Sequence, residues 1–210
     1  MPRRYQPTAP DRLPDELAGV LLAAPASGPA LRVAVDGPHA ADPGAVAESL
    51  REPLQSRGRA FVHIRASTFW RDASLRLEHG HHDVRSYRDD WLDAGSLLRE
   101  VLAPLGPDGS GQYLPSLRDP ATNRATRSPR RAADPGTVVV VSGSLLLGRG
   151  FPFDVTIHLA LGAAARARRT ADEWAWTLSA FDEYDRDVDP TGTADVVVRL
   201  DDPRHPAISR

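Results

Sequence analysis

Apolar positions recur with two different spacings along this chain, and the two alternate. Leu17, Val20, Leu21 and Leu22 fall at near-helical spacing and predict a short helix over about 13–25, broken by the Ala-Pro-Ala-Ser-Gly-Pro stretch that follows. A short, mostly apolar run at 31–35 ends in Asp36-Gly37 and reads as a buried strand and a turn. Asp42-Pro43-Gly44 then has the form of a helix start, an Asp cap followed by Pro at the first helical position. That helix buries Val46, Leu50 and Leu54 and ends at Gly58. Residues 59–66 form the next strand, and 67–93 is polar and irregular.

A helix is expected from about 86 to 103, with Trp91, Leu97, Leu98, Val101 and Leu102 on one side. A hairpin follows over about 109–131, turning at Asp119–Asn123 in number order 119–123. Residues 137–141 and 153–161 are further apolar runs. Helices begin at 163 and 178, and 194–200 is the last strand. Strands alternating with helices predict an α/β fold, a parallel sheet flanked by helices. Ligands of such sheets bind at the carboxyl ends of the strands. Asp36, Ser67 and Ser142 occupy those ends and are the candidate catalytic positions.

Composition narrows the chemistry. The chain has 210 residues, 41% hydrophobic and 26% charged, with a formal net charge of -2. That balance gives no global attraction to nucleic acid or to an acidic membrane, and no apolar run is long enough to span a bilayer. A cytoplasmic protein is expected. There is no cysteine, which excludes disulfides and thiolate chemistry. There is also no lysine, so all 26 basic residues are arginine, as expected of a high-GC genome. A lysine Schiff base and a phosphate-loop lysine are therefore both excluded.

Several segments together resemble the uridine kinase family of P-loop nucleoside kinases, in particular its actinobacterial-type members. Val33-Ala34-Val35-Asp36-Gly37 resembles the first strand and the opening of the phosphate loop. Phe69-Trp70 resembles the Phe-Tyr pair after the second strand. Residues 87–93 resemble the segment with an acidic ribose contact, 138–143 the strand that ends in Glu-Gly, and 153–159 with Arg166, Arg168 and Arg169 the strand and arginine-bearing lid. The resemblance implies a P-loop kinase-like domain over 30–210 with an inserted hairpin and a lid at about 166–178, preceded by a helical extension at 1–29. It also implies a small-molecule partner, a nucleoside, nucleotide or related anion, held by Asp93, Tyr113, Arg118, Arg124, Arg168 and Arg169.

The departures fall on the family's catalytic places. The phosphate-loop pattern needs Gly, four residues, then Gly-Lys-Ser/Thr. Counting from Gly37, those last three places hold Asp42, Pro43 and Gly44. The lysine place has no N–H, and the hydroxyl place has no side chain. Asp42 as a cap would occupy helix N–H groups that phosphate would otherwise bind, and would repel it by roughly 4 kcal/mol at 4 Å. The family's acidic base falls at Ser67, and the glutamate closing the third strand falls at Ser142. These losses imply a degenerate site that binds its ligand in a non-catalytic or regulatory role. In the alternative, an active phosphotransferase, arginines replace the lysine and ATP and magnesium are required. A third reading keeps only the fold, as a partner-binding or homo-oligomeric protein.

Two other clusters need placing. Glu78-His79-Gly80-His81-His82-Asp83 is the densest set of metal-capable side chains, with His79, His81 and His82 as ligands in one reading and a polar solvated loop in the other. Arg118, Arg124, Arg127, Arg130 and Arg131 form a basic stretch, either an anion grip or a solvated loop. Aromatics are not interleaved there, so a nucleic-acid role is not expected.

Overall fold

The computed structural model describes residues 3–210 and contains one seven-stranded sheet in the order β1-β9-β8-β7-β2-β6-β3. In chain order the elements are β1 (Gln6–Pro7), α1 (Leu13–Ala23), β2 (Ala30–Asp36), α2 (Pro43–Ser49), α3 (Arg51–Ser56), β3 (Phe61–Arg65), α4 (Ala73–Arg76), α5 (Val84–Asp89) and α6 (Ala94–Leu97). They continue with β4 (Gln112–Tyr113), β5 (Arg131–Ala132), β6 (Thr137–Gly143), β7 (Val155–Ala160), α7 (Ala163–Arg169), α8 (Leu178–Asp187), α9 (Pro190–Thr193), β8 (Val196–Arg199) and β9 (Ala207–Ser209). Short 3-10 turns cover His39–Ala41, Ala66–Phe69 and Asp172–Thr177, and a π-helical turn covers Leu98–Leu102.

β3, β6, β2, β7 and β8 run parallel, and β9 and β1 close one edge antiparallel. All seven residues of β2 are buried, and β6 is buried from Thr137 to Ser142. Strands covered on both faces need near-continuous apolar runs, which is why 33–35 and 138–141 are legible as strands, Arg32 being the one buried charge in β2 before its terminal Asp36. One face packs under α1, α2 and α3 through Leu17, Leu21, Ala47, Leu50 and Leu54. The N-terminal helix thus shares the main core with the sheet. The opposite face packs against Leu97, Val101, Leu102 and Leu105.

Two predicted elements differ. The helix expected over 86–103 is broken at 90–93, because Asp93 starts a new helix by accepting the Ser96 N–H at 2.9 Å. The intervening Leu92 instead pairs with Trp70 as an isolated bridge. The helix expected from 43 to 58 is interrupted at Leu50, and Pro53 in α3 lacks the N–H that a continuous helix would use. The predicted hairpin is present as the β4–β5 pair and a bridge between Arg118 and Ala125. The edge strands β1 and β9 were not anticipated. Among the described residues no helix is long and apolar enough to cross a membrane.

A buried ion pair joins the start of β2 to the segment before β7. Arg32 and Asp154 side chains are each 5% exposed, with Nη2 3.1 Å from Oδ1 and Nε 3.2 Å from Oδ2. Arg32 also donates to Leu102 O and Ser27 Oγ, so its remaining N–H groups find acceptors. Removing one partner of such a pair leaves an uncompensated buried charge. Asp154→Ala is therefore expected to lower the unfolding free energy by about 3–5 kcal/mol. Urea denaturation measures this, and a loss below about 1 kcal/mol would show that the pair contributes little.

Candidate functional site

The carboxyl ends of β2, β3 and β6 open onto a cavity of about 440 Å³. That volume is in the range of small-molecule sites, about 300–1,000 Å³. Its floor is Ser142, Gly143, Ser144 and Leu145 after β6, and one wall is Asp42, Pro43 and Gly44 at the head of α2. Arg65, Ala66 and Ser67 after β3 form another side, and Pro120 and Ala121 reach it from the hairpin turn. Trp70, Tyr87, Trp91 and Trp174 supply aromatic walls. These rings form one cluster: Trp70 and Trp91 meet edge-on at 5.1 Å, Tyr87 and Trp91 at 5.2 Å. Arg76 lies 4.7 Å over the Trp91 ring and braces the cluster from behind.

Two guanidinium groups line the cavity without a carboxylate partner. Neither Arg65 nor Arg149 takes part in an ion pair among the described residues. Arg149 donates to the carbonyls of Leu145, at 2.7 Å, and Arg88. Burial lowers its pKa, with no acid in direct contact to offset the desolvation.

In the segment 37–45 four N–H groups are already bonded. Gly37 N–H bonds Gly143 O, Ala41 N–H bonds Pro38 O and Asp42 N–H bonds His39 O. The Asp42 carboxylate accepts the Ala45 N–H at 2.9 Å, and Pro38 and Pro43 have no N–H. Asp42 sits at φ 48, a left-handed conformation that Asp tolerates better than most residues. Gly37 is required by the sheet, since a Cβ there would lie 2.9 Å from Leu159 Cβ. Gly44 is not so confined: a Cβ would meet Asp42 Oδ1 at 3.5 Å and Arg65 Cζ at 3.8 Å. The His39 ring packs on Trp174 at 4.6 Å and its Nε2 lies 2.8 Å from the Tyr87 hydroxyl. Burial lowers the His39 pKa to about 4.

Of the residues singled out in the sequence, Asp42, Gly44, Ser67 and Ser142 meet at the cavity. Asp36 does not, because its carboxylate is fully buried and turned away. It accepts the Leu146 N–H at 2.8 Å, contacts His158 Nδ1 at 2.8 Å and accepts the Tyr184 hydroxyl at 3.1 Å. Asp93 caps α6, and Tyr113 is buried in the core. Arg118 pairs with Asp72 at 3.0 Å. Arg124 and Arg168 are exposed, and Arg169 donates to Leu200 O at 2.7 Å, so none of the three lines the cavity. His79, His81 and His82 are exposed, and no group of three or more metal-capable side chains gathers among the described residues.

Sequence reasoning missed Arg65, Arg149 and His63. His63 reads as an ordinary strand position, yet its Nε2 lies 2.8 Å from Ser142 Oγ and its Nδ1 3.0 Å from Glu48 Oε2. On the far side of the 37–45 segment, beside His158, Arg166 and Tyr184, the hollow is only about 80 Å³. Arg166, which the sequence places in the lid, is buried there in ion pairs with Asp182 and Asp185.

No protein-family model matches the chain, and no curated protein matches its sequence. Solved structures do. A possible uridine kinase from Bacillus stearothermophilus superposes with a TM-score of 0.71 at 19% identity, over 88% of this chain and 96% of that one. A candidate fructose transport system kinase from Silicibacter superposes with a TM-score of 0.58 at 20% identity, over 81% of this chain and 87% of the other. The chain therefore has the P-loop kinase fold, and at this level of identity the likeness speaks for fold alone.

The closed loop has two measurable consequences. Asp42→Ala is expected to cost about 0.5–2 kcal/mol through loss of the cap, and Asp42→Gly only a few tenths, since glycine accepts the left-handed conformation. Equal losses in urea titrations would contradict the cap. His39 has a folded pKa below its unfolded value of 6.5, so the unfolded chain binds the extra proton first. Stability should therefore be unaffected above pH 6.5 and fall as pH drops toward 4, by up to roughly 3 kcal/mol. In His39→Gln that component of the pH profile should vanish. An unchanged profile would remove His39 as its source.

Proposed function

We propose that this protein uses a P-loop kinase frame to bind a small ligand that combines a planar ring with an anionic group, a nucleoside, nucleotide or related anion, without transferring phosphate from ATP. One juxtaposition carries the reading. A 440 Å³ cavity with aromatic walls and two unpaired guanidinium groups lies directly against a loop whose Gly37, Ala41, Asp42 and Ala45 N–H groups are already bonded and whose head carries the Asp42 carboxylate. Ring stacking on tryptophan contributes about 1–3 kcal/mol per base. Guanidinium is suited to planar, bidentate recognition of phosphate or carboxylate. The 80 Å³ hollow behind the loop is far below the size of a ligand site. The absence of lysine leaves arginine as the only permanently cationic side chain to meet an anion.

One observation favours the second reading, an active phosphotransferase. The Arg65 guanidinium lies over Gly44, where the pattern places the loop's hydroxyl residue. In that reading Arg65, rather than Arg168 or Arg169, takes the place of the lysine, and ATP with magnesium would be required.

Titration calorimetry and quenching of Trp70, Trp91 and Trp174 fluorescence separate the two. Uridine, uridine monophosphate and magnesium-ATP are the probes. The monophosphate is expected to bind, and Trp174→Ala should weaken it about 5- to 150-fold, the equivalent of one stacked base. Arg65→Ala should weaken the monophosphate more than the nucleoside. Tight magnesium-dependent ATP binding with phosphoryl transfer would sink the first reading and support the second.

A further inference from the structure

Ser142, His63 and Glu48 form a continuous chain of a hydroxyl, an imidazole and a carboxylate that ends at the cavity. Local sequence does not announce it, because three elements supply the three groups. His63 pairs with Val140 in the β3–β6 register, and Ser142 follows Val140 by two residues. Side-chain alternation therefore brings His63 and Ser142 to one face of the sheet. The same face carries Phe61, Val138 and Val140, and α2 covers it through Ala47. Glu48 is the next residue on α2, and its Oε2 reaches His63 Nδ1 at 3.0 Å.

Each group has the protonation state that a nucleophilic serine needs. Arg51 holds Glu48 through Nε and, at 3.1 Å, Nη2. That contact lowers the Glu48 pKa to about 2, so the carboxylate stays ionised. Burial lowers the His63 pKa against the opposing pull of Glu48, with Arg65 and Arg51 adding to the lowering. A neutral imidazole with its proton on Nδ1, donated to Glu48, presents Nε2 as the acceptor for the Ser142 hydroxyl. The Ser142 side of the chain opens into the cavity.

The turn after the serine has the complementary feature. The Ser144 and Leu145 N–H groups have no protein acceptor among the described residues, although both residues line the cavity. Leu145 is held at φ 60, a left-handed conformation costly for a leucine. Backbone donors without a partner, next to a nucleophile, are the requirement for stabilising an oxyanion.

We infer that Ser142 is a nucleophile toward small esters bearing a planar ring, with His63 as its general base and Glu48 as the group that orients His63. Ser142 Oγ attacks the ester carbonyl carbon and its proton passes to His63 Nε2. The C–O bond to the alcohol breaks, and the alcohol leaves with that proton, which forms an acyl-serine. Water then attacks the acyl carbon and gives a proton to His63. The carboxylic acid departs as the proton returns to Ser142 Oγ. The aromatic walls would hold the ring, and the Ser144 and Leu145 N–H groups would meet the oxyanion. This goes beyond the ligand-binding reading and does not depend on it.

The test uses the full chain with a fluorophosphonate probe and p-nitrophenyl acetate. Mass spectrometry is expected to find the phosphonyl adduct on Ser142, absent from Ser142→Ala. His63→Gln should slow labelling and ester turnover at least 100-fold, the usual worth of a general base. Glu48→Gln should slow them less. The labelling rate should rise with pH as His63 loses its proton and be level by neutral pH. Circular dichroism of each variant establishes that it is folded. A folded wild-type protein with no adduct on Ser142 would overturn the inference, as would labelling at an undiminished rate in His63→Gln. Calorimetry with nucleotides reads the ligand-binding proposal separately, so either can fail without the other.

Discussion

The Asp36 carboxylate is the point on which the site is hung. A fully buried carboxylate is costly unless its oxygens are paired and hydrogen-bonded. Here the tip of β2 is bonded to β7 through His158, to α8 through Tyr184 and to the loop after β6 through the Leu146 N–H. Tyr184 in turn accepts the Leu147 N–H at 2.9 Å. Burial and the neighbouring Asp36 push the Tyr184 phenol up, so it remains a donor to that carboxylate. Two successive N–H groups, at 146 and 147, are thus pulled inward. The chain just before them turns through Leu145 at φ 60, and the Ser144 and Leu145 N–H groups, on residues that line the cavity, have no protein acceptor among the described residues.

This arrangement explains what the sequence could and could not disclose. The central strands were legible because strands buried on both faces are close to continuously apolar, as 33–35 and 138–141 are. The cap at Asp42 was legible because Asp-Pro is a local signal, and the Ala45 N–H does bond its carboxylate. The break at 90–93 was hidden because Trp91, Leu98 and Leu102 keep a helical apolar spacing across it, while the Asp93 cap depends on a competing local bond. The edge strands β1 and β9 have two and three residues, too few for any period to register.

Site residues divide along the same line. Asp36 follows the rule that ligands sit at strand ends, but the rule fixes the end of the strand and not the direction of a side chain. The direction depended on His158 and Tyr184, 122 and 148 residues away. His63 and Ser142 are separated by 79 residues and meet only through the β3–β6 register. Arg65 was one of many arginines in a chain without lysine. Its difference, the want of an acid partner, is a property of the fold. Arg118 shows the reverse: it looked like an anion grip and is held by Asp72.

The charges around the cavity decide where an anion can rest in it. A phosphate about 4 Å from Asp42 would meet roughly 4 kcal/mol of repulsion at an effective dielectric of 20, and an equal attraction at the same distance from either guanidinium. The Ala41, Asp42 and Ala45 N–H groups do not offset the repulsion, since they are already bonded. An anion in the cavity would therefore be driven away from the head of α2 and toward Arg65 and Arg149. A kinase fold ordinarily holds phosphate by a ring of backbone dipoles that come free with the loop. In the proposed reading the binding energy would come instead from side chains on β3 and on the loop after β6, next to the strands that carry His63 and Ser142. A ligand drawn to those cations would thereby be drawn to the serine, because Arg65 and Arg149 line the same cavity as Ser142.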